Sequence, residues 1–172
     1  MTRRTTIDEI IAMSPVPIFF QDMKKLASKH YFAMTPEEKV AVKNGEMYGV
    51  FVVPSHLLRH YKKYNHGIIF VEKALNDQFK HIVLFHELGH ALYYFARKKN
   101  NQLASEKYAI TYCLKTLLAE KMADELRCAM EDVGEYASHK DYFAHGVAKN
   151  IMKSKLWGKC EKYTSPCQKE KT

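Results

Sequence analysis

Two histidines, His86 and His90, stand four residues apart in the stretch HIVLFHELGHALYY, and Glu87 directly follows the first. On a helix, residues four apart share a face and lie about 6 Å from each other along the axis, so both imidazoles can reach one ion. Glu87 is close enough to reach a water on that ion without binding the ion itself. Two neutral nitrogen ligands suit zinc, and a carboxylate beside them can take a proton from the water that attacks a carbonyl. Gly89 thins the helix where another segment must pass close, while Phe85, Leu88, Ala91 and Leu92 can fix it against a core. A catalytic zinc ion usually has three protein ligands and one open position, so a third ligand must come from elsewhere in the chain.

Beyond His90, the segment AEKMADELRCAM presents Glu120 and Asp124 in an E-x-x-A-D pattern. On a continuous helix the two carboxylates share a face, beside an apolar stripe of Leu118, Met122, Leu126 and Met130. Glu120 is then the expected third ligand. Asp124 is placed to accept the far N–H of a metal-bound imidazole, a common role for a carboxylate one turn away. Glu106, Glu125 and Glu131 are rival acids outside that pattern. A third histidine at the spacing H-E-x-x-H-x-x-G-x-x-H is excluded, because Tyr93 stands at the glycine and Ala96 at the histidine. His56 and His60 are also four apart but have no glutamate after the first, and read as a solvated helix. His81, His139, His145, Tyr136 and Tyr142 are all able to hydrogen-bond a developing oxyanion, and spacing does not choose among them.

HELGH followed thirty residues later by EKMAD resembles the gluzincin peptidases, in particular their small members, the minimal gluzincins and the ImmA/IrrE-like peptidases. The resemblance runs over residues 47 to 131, with the strand-like GIIFV ahead of the motif helix. It implies a zincin-like α+β fold and a Zn2+ ion held by His86, His90 and Glu120. It further implies Glu87 as general base, Asp124 as the orienting group, and hydrolysis of peptide bonds. The His-Gly of FAHGVAKNIM is similar to that of SprT-like proteases and offers His145 as an alternative third ligand.

These side chains need a scaffold, and the chain supplies the signals for one. A first helix is expected over 7–13, ended by Pro15 and Pro17. Phe19, Met23 and Leu26, with Tyr31 beyond, recur at helical spacing. Thr35, Pro36 and the acids after them mark another helix start. MYGVFVV (47–53) and GIIFV (67–71) read as strands, with a short helix opened by Ser55 between them. The second strand is a candidate sheet edge along which an extended peptide could pair. A long helix is expected from Asn76 to Lys98, then helix throughout 105–133, a weaker helix over 141–153, and a polar tail from Trp157. The expected architecture is α+β: a small sheet packed on the motif helix and a following glutamate helix. It forms one domain over 1–156, with N-terminal helices in 1–46, a catalytic core in 47–133, and a basic tail in 157–172.

Composition narrows the class. With 172 residues, 47% hydrophobic and 27% charged, the chain has the makings of one globular domain. The net charge of +8 favours acidic partners, and from Lys149 onward seven lysines face only Glu161 and Glu170. Cys113, Cys128, Cys160 and Cys167 form no C-x-x-C, so no zinc ribbon or redox motif is present. Asp8 and Glu9 interrupt any signal-like start, and no apolar run approaches a membrane span. The expectation is a cytoplasmic zinc endopeptidase acting on a protein or peptide substrate. The competing reading is a silent zincin scaffold that docks a protein partner, or nucleic acid through RHYKKYNH and the tail.

Overall fold

The computed structural model describes residues 5–28, 34–57, 61, 63–97 and 101–165. Among them are eight helices and one small mixed sheet, an α+β architecture. Tyr31, His60, Cys167, part of RHYKKYNH and the end of the basic tail lie outside the described residues.

The first elements are α1 (Ile7–Met13), β1 (Ile18–Gln21), α2 (Met23–Ser28) and α3 (Pro36–Asn44). Thr6 and Thr35 close capping boxes with Glu9 and Glu38, each pair satisfying two helix-end N–H groups reciprocally. Gly45 ends α3 at φ 78, a left-handed conformation that glycine adopts without Cβ strain. Phe19, expected on a helix with Met23, instead lies in β1. The β-forming run Ile18-Phe19-Phe20 pairs in parallel with β3 (Ile68–Glu72), Ile18 opposite Ile69 and Phe20 opposite Val71. The helical spacing of Phe19 and Met23 thus straddles a strand-to-helix junction.

The strand order is β1-β3-β2, with β2 (Gly49–Val52) antiparallel to β3. β3 is therefore the central strand, paired on both sides, and is not the free edge expected of it. β2 is an edge. Side chains alternate across the sheet. Ile69 and Val71 join the main core under the long helices, while Ile68 and Phe70 join a smaller core with Met23, Leu26, Val42 and Leu57.

The motif helix α4 (Asp77–Arg97) is bounded almost as expected and packs against β2 and β3. The expected run over 105–133 is instead two helices, α5 (Gln102–Ala119) and α6 (Ala123–Ser138). The chain reverses between them at Lys121, a non-glycine residue at φ 57. α7 (His145–Met152) is followed by α8 (Lys155–Thr164), which occupies ground assigned to the polar tail. Trp157 and Cys160 are buried on its inner face and anchor it to α6 and α5. No helix among the described residues is long and apolar enough to cross a membrane.

α6 carries a dense acidic row, and half-buried Asp132 shows the cost. Burial first, then the charges of Glu135 and Glu131, push its carboxyl up from 3.8 to about 6. An acid whose pKa is raised on folding favours the folded state while protonated, and that contribution is lost as pH rises through about 6. Asp132→Asn should therefore raise the urea midpoint at pH 8. The gain should vanish near pH 3, below both the folded and the unfolded pKa, where the carboxyl is largely protonated in both states. Equal gains at both values would show that the carboxylate charge is not the cause.

Candidate metal and catalytic site

Gly89 decides how closely α4 and α5 approach. A Cβ placed there would lie 2.6 Å from the Ala109 Cα, so the two main chains are in direct contact. His86 and His90 flank Gly89 on α4, and Ser105 and Glu106 lie one turn before Ala109 on α5. The crossing carries Glu106 to the two imidazoles. His86 Nε2 is 3.6 Å from Glu106 Oε1, His90 Nε2 is 3.4 Å from Oε2, and the two Nε2 atoms are 3.1 Å apart.

Three ligand atoms at about 2.0–2.1 Å from a tetrahedral ion stand about 3.3–3.4 Å from one another. The N–N spacing and the nearest N–O spacing of each imidazole fall near that length, the two N–O contacts being made to different oxygens of the Glu106 carboxylate. Among the described residues, His86, His90 and Glu106 form the one group of three or more such side chains able to hold a metal, their ligand atoms all within 4.8 Å of one another. The two-nitrogen, one-oxygen donor set is one that zinc accepts.

The far nitrogen of His90, Nδ1, is 2.8 Å from the Ser105 hydroxyl. Two tautomers satisfy this contact: Nε2–H donates to Glu106 while Nδ1 accepts from the Ser105 hydroxyl, or, as a metal ligand requires, Nδ1–H donates to Ser105 and the Nε2 lone pair is left free. Burial lowers the pKa of His86, against the opposing pull of Glu106, and so favours the neutral imidazole that a metal requires. Glu106 is buried, which alone would raise its pKa. The His90 hydrogen bond, the charges of both histidines and the Tyr142 hydroxyl outweigh burial and hold the carboxyl below its ordinary value.

Glu87 stands apart from this trio. It is buried against β2, and its Oε2 accepts the Phe51 N–H at 2.7 Å. Gly49 makes that approach feasible, since a Cβ there would meet Val83 Cγ1 at 2.4 Å and Glu87 Cγ at 3.0 Å. Burial, opposed by His86 and reinforced by Glu106, pushes the Glu87 carboxyl up to about 7.

Glu106, and not the Glu120 expected as third ligand, stands beside the two imidazoles. Glu120 and Asp124 do not share a helical face, because Glu120 caps the end of α5 and Asp124 begins α6 beyond the turn at Lys121. Glu120 accepts a hydrogen bond from the Thr5 hydroxyl, far from the imidazoles. Asp124 is exposed and lies 3.7 Å from the Arg127 guanidinium, so the imidazole-orienting contact expected of it is made by Ser105 instead. His145 begins α7 outside the group, its Nδ1 buried without a hydrogen-bond partner.

Of the side chains able to meet an oxyanion, Tyr142 lies nearest. Its hydroxyl donates to Glu106 Oε1 at 3.4 Å, and its ring stacks on Tyr136 with centroids 4.4 Å apart. His81 is engaged near the start of α4, its two ring nitrogens 2.7 and 3.1 Å from the Asp77 and Thr5 carbonyls, and His139 is exposed at the end of α6. No protein-family model matches this chain, and no curated protein or solved structure is significantly similar to it.

The close crossing makes a sharp expectation. Gly89→Ala returns up to about 1 kcal/mol of helix propensity but forces the helices apart, an overpacking cost of about 1–3 kcal/mol. The urea midpoint should fall. A rise would show that α4 and α5 separate freely, and that the crossing does not hold Glu106 in place.

Proposed function

We propose that this chain is a zinc-dependent peptidase with a zincin-like core, its ion held by His86, His90 and Glu106 and its general base supplied by Glu87. The observation that supports this most is the pairing of a compact His86, His90 and Glu106 group, whose ligand atoms lie within 4.8 Å of one another, with a separate buried carboxylate one residue from the first histidine. When bound, the ion would polarise a substrate carbonyl and acidify a water. Glu87 does the proton work: its Oε2 is fixed by the Phe51 N–H, and burial makes its carboxylate a stronger base than an exposed one, an effect that the charge of a bound ion would oppose. Ser105 keeps His90 turned with Nε2 inward, and Tyr142 steadies the Glu106 carboxylate. An extended peptide would lie along β2, the edge strand beside Glu87, and pair through the main-chain groups that remain beside the Phe51 N–H, which Glu87 holds.

The ligand assignment is tested by metal analysis of purified variants. Glu106→Ala should lose most of its zinc, while Glu120→Ala and His145→Ala keep wild-type content. Loss in Glu120→Ala with retention in Glu106→Ala would overturn the assignment.

The reaction is tested separately. Glu87→Gln preserves shape but cannot accept a proton, so zinc content should survive while hydrolysis of a protein substrate falls by about two orders of magnitude or more. Full biological effect in a zinc-loaded Glu87→Gln protein would mean that the chain acts by docking a partner, without cleavage.

A further inference from the structure

The helical pair that builds the site also carries, toward the α4–α5 connection and along α5, a surface of different character. From Leu88 to Ala119 the only carboxylate is Glu106, and it is buried in the cluster. The same stretch carries Arg97, Lys98, Lys99, Lys107 and Lys115. Of these, Arg97, Lys107 and Lys115 are exposed on the described surface.

Three tyrosines lie among those cations. Tyr108 and Tyr112 are four apart on α5, their rings parallel to within 8° with centroids 6.5 Å apart. Tyr93 on α4 lies 5.9 Å from Tyr108, tilted by 51°. Tyr108 is 41% exposed, so its ring is open to a ligand while held by the other two. Arg97 follows Tyr93 by four residues and Lys115 follows Tyr112 by three, so each cation shares a helical face with a ring. Lys107 directly precedes Tyr108.

We propose that this outer face of the α4–α5 pair binds single-stranded nucleic acid, with bases stacking on Tyr93, Tyr108 and Tyr112 and phosphates neutralised by Arg97, Lys107 and Lys115. Rings interleaved with cations are the elements from which sequence-tolerant single-strand surfaces are built. Tyr108 and Tyr112 present parallel rings whose centroids, 6.5 Å apart, are spaced at about two nucleotide steps of a strand, with Tyr112 braced against the core and Tyr108 the more exposed of the two. An anionic membrane would also attract the cations but needs apolar groups to insert. Here the rings carry polar tips, and among the described residues the other large apolar side chains exposed on α4 and α5 are Leu103 and, at the far start of α4, Phe79.

The proposal is independent of peptidase activity and is tested on the full chain by fluorescence anisotropy. The probes are labelled oligothymidylate and oligouridylate of about sixteen nucleotides, the upper end of a single-fold site. Wild-type protein and Glu87→Gln should bind at least one of them at low salt. Tyr108→Ala combined with Tyr112→Ala should weaken binding about tenfold or more, with the thermal melt checked by circular dichroism. Lys115→Ala should reduce the slope of log affinity against log salt by about 0.7. If the tyrosine pair fails to fold, Lys107→Glu with Lys115→Glu, both surface changes, should abolish binding. Failure of the wild type to bind either oligomer would overturn the proposal. So would binding unaffected by the α4–α5 variants, or a preference for phosphatidylserine vesicles over both oligomers.

Discussion

The contact between Gly89 and Ala109 sets the register of everything around it. Two helices touching main chain to main chain cannot slide without a clash, and few side chains intervene to absorb a shift. Because His86 and His90 lie on either side of Gly89, and Ser105 and Glu106 lie one turn before Ala109, a single packing event aligns four groups. The carboxylate reaches both Nε2 atoms while the adjacent serine reaches the Nδ1 of His90. Two successive residues of α5 therefore contact opposite ends of one imidazole, and loss of register would break both contacts together.

The same crossing buries two carboxylates close together, and their surroundings drive them apart. Glu106 faces two imidazoles and a phenol hydroxyl, which keep it ionised despite burial. Glu87 has one backbone N–H and the repulsion of Glu106, so burial dominates and its proton is held to about 7. A pair of acids separated in this way divides the labour of a site: one is a permanent anion suited to a cation, the other exchanges a proton near neutrality. The sequence shows two glutamates of identical chemistry. Only their neighbours distinguish them.

Part of this was readable before the structure. Spacing alone located the motif helix to within a residue at each end, because its apolar periodicity, its polar start and the chemistry of HELGH agree. The third position was not readable, because E-x-x-A-D draws its force from an uninterrupted helix. The break falls at Lys121, a residue with no turn signature, held left-handed where glycine or asparagine would have announced it. Glu106 did leave a signal. It falls on the same stripe as Ala109, Ile110, Cys113 and Leu117, so an acid occupies a core position of an otherwise apolar helix face. β1 and α8 were missed for a related reason: their side chains fit two periodicities, or too short a one, until β3 and α6 provide surfaces to pack against.

Charge is also sorted between elements in a way that folding alone does not require. From Leu88 to Ala119 the α4–α5 pair shows cations and no exposed acid, Asp77 lying at the far start of α4, whereas α6 exposes Asp124, Glu131 and Glu135 and half-buries Asp132 among them. Like charges three and four residues apart on one helix repel, and mixing the two sets would relieve α6 at no cost to the core. A distribution that works against stability at the surface is better explained by what the surfaces meet. The cationic face lies on the same two helices that hold the metal-type cluster, so a strand bound there would be tied to the site through the Gly89–Ala109 crossing.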